Sequence, residues 1–220
     1  MLKGAFFLGG KTKESYPDVA RVEPDGMIVW GKRIPENFTT NIRTQIPAWH
    51  KNKIDFSQIV SIGANNFNDG FMFGNLTQEY VKLELPSLES LGENCFNDMG
   101  SFDRLIVPKI KSVKNCFNRC HPWFIKMDGL QRVEGNSFNN LRTGDNIFLP
   151  SLESITGTGS FCNFPNVFGI TFKKLKSVSA GNFLNVNPGL SQFGVSSSID
   201  SVSESNLRSS LGSSVRIRKW

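Results

Sequence analysis

The residues able to do reactive chemistry in this chain are few: four cysteines and two histidines among 220 residues. Cys116, Cys120 and His121 form the one grouping that looks like a metal site. Zinc takes about four ligands, usually Cys and His in spaced pairs. His50 is far away in sequence, and Cys116 holds the same place in a repeat as Cys95, as described below. A free cysteine packs as a small hydrophobe, so Cys95 and Cys116 are expected in a core, with no metal and no cofactor. No Gly-x-Ser-x-Gly elbow is present for a nucleophile. Gly63, Gly92 and Gly135 recur at one repeat offset, which marks turns and not a phosphate loop. Glu89 and Glu153 are equivalent by repeat and are expected on a solvated face. These features point away from an enzyme. The remaining chemistry is contact chemistry. Phe71, Phe73, His121, Trp123 and Phe164 lie in segments of variable length, where aromatic rings can stack on sugars or anchor a protein contact. These five are the candidate binding residues, and packing back onto the body is the alternative for each.

The elements that would position them are repeats. LPSLES occurs at Leu85–Ser90 and again at Leu149–Ser154. Around it runs a wider pattern: aliphatic, two residues, aliphatic, a few small polar residues, then Phe. It appears as IVSIGANNFN, LESLGENCFN, IKSVKNCFN, LQRVEGNSFN, LESITGTGSFCN and LKSVSAGNFLN, ending on Phe67, Phe96, Phe117, Phe138, Phe161 and Phe183. From Leu88 the first anchors are 20 to 23 residues apart, and the step from Ile59 is 29, which places an insertion in 69–78. A second short apolar run precedes the later anchors: YVKLELP, RLIVP, WFIKM, NIFLP and VFGITF. Several close on Pro, which ends pairing and sets a corner.

A period of this length with two short strands means a solenoid, because one coil cannot bury its apolar side alone. The expected fold is mainly β: a short leucine-rich-repeat-type β-solenoid of about six coils of 20–23 residues, with a small N-terminal β module. Parallel strands stack about 4.8 Å apart, so six coils would run on the order of 30 Å. The six Phe would form one buried column. Asn66, Cys95, Cys116 and Ser137 would stack beside it, and Asn68, Asn97, Asn118 and Asn139 would form a polar column bonding turn backbone. With 19 Phe against 2 Tyr, the aromatic slots need no partner for a hydroxyl.

The motifs SIGANNF (61–67) and SLGENCF (90–96) resemble the BspA-like leucine-rich-repeat family, and the resemblance covers roughly 56–190. Later coils are looser, and the third has one residue fewer before Phe117. The resemblance implies a binding scaffold with variable surfaces, and family members are often surface or secreted proteins.

The flanks are different. Residues 1–50 lack the period; VARVEPDGMIVW (19–30) reads as a β-hairpin turning at Pro24-Asp25-Gly26, a module that caps the array or docks it to something larger. Residues 51–190 are the solenoid. Residues 191–220 are rich in Ser and Gly, with a short helix or strand around Ile199–Leu211 and a terminal strand at VRIRKW that pairs with the last coil or another subunit. The formal charge is +6 and the pI about 9.2, which favours acidic partners, but the only dense basic run is RIRKW, and no nucleic-acid partner is expected. Ala5–Leu8 is too short for an export-signal core, so reduced thiols are the default. No stretch reaches the roughly 20 apolar residues of a membrane span. A repeat body, an N-terminal module and no export signal together suggest a bacteriophage virion component, a tail or head appendage. It would bind a host-surface glycan or protein, or other virion proteins, and a homo-oligomer through its ends is a further expectation. The rivals are a BspA-like cell-surface adhesin and an intracellular protein-binding scaffold.

Overall fold

Apolar residues alternate with polar ones in each short run, and each run forms a strand. The structure is a computed structural model that describes residues 20–22, 28–39, 54–69, 82–143, 146–187, 189–190 and 192–220. In chain order the elements are β1 (Ala20–Val22), β2 (Ile28–Trp30), β3 (Arg33–Ile34), β4 (Ile54–Asp55), β5 (Ser61–Ile62), β6 (Lys82–Glu84), β7 (Ser90–Leu91), β8 (Gly100–Ile106) and β9 (Ser112–Lys114). They continue with β10 (Cys120–Lys126), β11 (Arg132–Glu134), β12 (Ile147–Phe148), β13 (Ser154–Thr156), β14 (Gly169–Thr171), β15 (Ser177–Val178), β16 (Gln192–Val195), helix α1 (Ser201–Leu211) and β17 (Arg216–Lys219).

The result is a mainly β solenoid whose coils each carry one strand of two ladders. The odd strands β3 to β15 form one side, in parallel register within β3–β5–β7 and within β9–β11–β13–β15. The break between β7 and β9 falls at the repeat that has one residue fewer before its Phe. The even strands form the other side, as β2–β4, β6–β8–β10 and β12–β14–β16, all parallel. The expected hairpin is an antiparallel pair: β1 lies on β2 with Ala20 opposite Trp30 and Val22 opposite Ile28.

Between the ladders runs the Phe column. Adjacent rings from Phe67 to Phe183 stack with centroids 5.1 to 5.5 Å apart and planes within 16° of parallel. Each of the six Phe has a left-handed backbone, with φ between 54° and 61°. That conformation costs an L-residue roughly 1–2 kcal/mol. Full burial of a Phe contributes about 1.5–3 kcal/mol, and each aromatic pair adds about 0.5–1.5 kcal/mol, so stacking outweighs the strain. The column is closed at both ends by rings set edge-on. Trp30 meets Phe67 at 5.3 Å and 80°, and Phe193 meets Phe183 at 5.0 Å and 88°.

Two polar columns flank the rings and satisfy the turn backbone. Beside the Phe, one coil's N–H donates to the side chain of the equivalent residue in the next. The series runs Thr39 to Asn66 (2.9 Å), Asn66 to Cys95 (3.5 Å), Cys95 to Cys116 (3.4 Å), Cys116 to Ser137 (3.2 Å), Ser137 to Ser160 (3.3 Å) and Ser160 to Asn182 (2.8 Å). On the other side, the N–H groups of Asn97, Asn118 and Asn139 donate at 2.8–3.0 Å to the Oδ1 of Asn68, Asn97 and Asn118. The amides of Asn68, Asn97 and Asn118 donate in turn to the backbone oxygens of Asn94, Asn115 and Asn136. A buried donor without a partner costs about 1–3 kcal/mol, so these side chains, recurring from coil to coil, are a condition of stacking. All four cysteines are reduced and buried. Contact with Cys116, then burial, pushes the Cys95 thiol up.

Strand pairing continues on both sides of residues 51–190. Arg33 pairs with Ser61 and Ile34 with Ile62, so the segment after the hairpin joins the odd ladder. At the other end β16 extends the even ladder and β17 pairs parallel with β16. Helix α1 closes the odd ladder. Ser203 Oγ accepts the Val178 N–H at 2.7 Å, and Asn206 Nδ2 donates to Val178 O at 2.8 Å. Asp200 caps the helix, accepting Ser203 N at 2.7 Å and Ser203 Oγ at 2.8 Å. Those bonds hold the Asp200 carboxyl below its usual range. Its stabilisation is therefore complete above the ordinary Asp value and is lost as pH falls through the lower folded value. Asp200→Asn should flatten this acid limb of the unfolding curve. Ser203→Ala should cost about 1–3 kcal/mol at neutral pH, because it strands the Val178 N–H as well as the cap; chemical denaturation at several pH values measures both.

Candidate binding surface

β10 and β8 pair from Cys120 opposite Gly100 to Lys126 opposite Ile106. The segments 99–103 and 119–123 are thus largely strand. Neither carries an insertion, so chain that has to bridge coils pairs instead. Trp123 sits on β10 and is 70% exposed, presenting its indole from a rigid element. His121 is on the same strand and half-buried. Burial first, then the Arg142 guanidinium, pushes its pKa down, so it is neutral at neutral pH.

Phe164 corrects the sequence expectation. It is 1% exposed, with its ring edge-on to Phe161 at 5.9 Å and 81°. The turn after Phe161 folds inward, and the ring thickens the core there. Phe164 is a packing residue and offers no contact surface. Phe71 and Phe73 lie outside the described residues.

The structure adds aromatics that the sequence reading did not select. Phe124 on β10, Phe148 on β12, Phe168 just before β14 and Trp220 just after β17 are all exposed. Phe124 follows the exposed Trp123, whereas Phe148 and Phe168 occupy outward places next to a buried aliphatic. The period of two was the signal that could have found them. Together with Trp123 they give the even-ladder side a set of exposed rings. The odd-ladder side presents Ser, Glu, Lys and Arg instead.

Trp220 also organises charge. The Arg218 guanidinium lies 4.0 Å from its ring centroid and Lys173 Nζ 4.6 Å from it, and Lys173 is 5.9 Å from the Phe148 centroid. The indole lies against the strand: a Cβ on Gly194 would come within 2.7 Å of Trp220 Nε1. Only glycine leaves room for that ring. The arrangement is an open face of rings and cations, suited to holding a partner by contact. Among the described residues no three His, Cys, Asp or Glu side chains gather to hold a metal ion, and no helix is long and apolar enough to cross a membrane. Comparison with protein-family models, curated proteins and solved structures finds no match.

Proposed function

We propose that this chain is a non-enzymatic binding protein, a rigid solenoid that holds a macromolecular partner on the outer face of its even ladder. The observation that carries this reading is the set of large aromatics left exposed there: Trp123 at 70%, Phe168 at 63%, Phe148 at 48%, Trp220 at 46% and Phe124 at 43%. Exposed rings gathered on one face mark interaction sites. Stacking in every coil holds the backbone beneath them, so little entropy is lost on binding. The setting we propose is a bacteriophage virion, as a tail or head appendage meeting a host surface or a neighbouring virion protein. Its support is the sequence: a hairpin ahead of a repetitive β body. A cell-surface adhesin is the second reading, favoured by the resemblance of the repeats to BspA-like proteins.

The test is a pull-down of the purified chain with a panel of bacterial cells and with virion components. Saturable binding is expected, and Trp123→Ala with Phe168→Ala should abolish most of it. Both side chains are exposed, so the double variant should stay within about 0.5 kcal/mol per site of the parent in stability. Binding that is absent throughout, or unchanged in the double variant, would rule this face out.

A further inference from the structure

Charges are sorted differently on the two sides of the solenoid. On the odd-ladder side, cations meet carboxylates: Lys114 lies 3.0 Å from Glu93, Lys176 3.5 Å from Glu153, Arg132 3.9 Å from Glu134 and Lys109 4.0 Å from Glu89. On the even side at the C-terminal end, no outward residue of β12, β14, β16 or β17 is acidic. Lys173, Arg216 and Arg218 have no carboxylate within ion-pair distance among the described residues. Instead, Lys173 and Arg218 share the Trp220 ring, at 4.6 and 4.0 Å. The ring attracts each cation but does not neutralise its charge. An anion placed on them would neutralise both.

The rest of the face narrows the anion's chemistry. The Trp220 indole covers Gly194 and the Asn146 side chain covers Gly169, so the groups left to a ligand lie around the ring. Exposed Gln192 and half-buried Thr171 offer neutral hydrogen-bonding groups, which match sugar hydroxyls. Phe148 and Phe168 are free to lie against the apolar face of a sugar ring. Single-stranded nucleic acid is the competing polyanion, since its bases also stack on open rings, and the binding measurements below separate the two.

We propose that this C-terminal part of the face binds an acidic polysaccharide, with carboxylate or sulfate groups on Lys173 and Arg218 and sugar rings on Phe148 and Phe168. The inference rests on the reading of the even-ladder face as a binding surface, and it names the ligand class for one end of it.

The experiment measures binding of the full chain to hyaluronan, chondroitin sulfate, dextran and poly(dT) by calorimetry. Binding to at least one acidic glycan and none to dextran is expected. It should weaken with salt, because exposed charges are screened beyond about 8 Å at physiological ionic strength. Lys173→Gln with Arg218→Gln should weaken it at least about tenfold, as loss of paired charge contacts does. The control Lys109→Gln with Lys114→Gln removes the same charge from the other side and should leave binding within about twofold if site contacts, and not net charge, carry it. Equal losses in both double variants would reduce the effect to bulk charge and overturn the proposal. Tighter binding of poly(dT) than of either glycan would overturn it in favour of nucleic acid. If no acidic glycan binds while cells are still held through Trp123 and Phe168, this inference falls and the binding reading stands. If cell and virion binding fail as well, both fall.

Discussion

Phe117→Ala should destabilise the protein by about 3–5 kcal/mol, the range for removing a fully buried Phe. Phe117 is 0% exposed and lies mid-column. Its ring stacks on Phe96 at 5.4 Å and on Phe138 at 5.5 Å. Truncation therefore removes the buried ring and both stacking contacts at once. In a solenoid each coil is stabilised chiefly by its two neighbours, so a cavity here weakens both interfaces of the third repeat. The odd ladder is also interrupted between β7 and β9, so on that side no ladder ties β9 to the coil before it. At about 2–4 °C per kcal/mol for a chain of this size, the melting temperature should fall by roughly 10 °C. Phe117→Leu keeps most of the burial and loses the ring contacts, and it should fall between the two. Guanidinium and thermal unfolding of the three proteins measure this. A Phe117→Ala melt matching the parent would mean that the column does not hold the coils together.

Gly92→Ala should be nearly as damaging although it adds only one methyl group. Gly92 N–H donates to Ile62 O at 2.7 Å, drawing two coils into close approach. A Cβ at Gly92 would lie 2.3 Å from Ala64 N and 2.6 Å from Gly63 C. Those neighbours are backbone and cannot rotate aside, so the coils must part and the pairing of β5 with β7 is lost. The cost should reach about 3 kcal/mol, the upper part of the range for overpacking. Gly212→Ala is the informative contrast. Gly212 follows α1 with φ +80 and has open space around it, so its substitution should cost only the roughly 1–2 kcal/mol of a left-handed backbone. Denaturant midpoints of the two variants give the comparison. If both cost the same, the close approach at Gly92 carries no special load.

Much of the molecule was legible in its residues. A fixed spacing of aliphatic, Phe and Asn positions is itself a statement of stacking, because equivalent residues in a solenoid must lie over one another. The Phe column, the small residues beside it and the Asn ladder could all be read from that register. So could the hairpin, whose turn residues lie between two alternating runs. The segment 28–39 carries little of the repeat's pattern, because its Ile34 and Phe38 stand alone. The first aliphatic of the usual pair is Gly31 here, and Ile34 takes the second place opposite Ile62. The segment's place in the ladder shows in Arg33 and Ile34 pairing with the next coil, a long-range contact with no local sign.

The contact surface was less legible, and for a physical reason. A repeat's period dictates which residues are buried, since that is what stacking requires. It is silent on a side chain between repeats, whose direction depends on the coil next to it. Phe164 turned inward to the ring of Phe161, and Trp123 turned outward on a strand, though both looked like edge aromatics. The meeting of Lys173, Arg218 and Trp220 is likewise beyond any local pattern. It exists because β17 returns to pair with β16 and lays Trp220 over Gly194. By itself the sequence determined the solenoid, through the burial that every coil demands of its neighbours. The tertiary structure alone decided where the rings and charges on its surface come together.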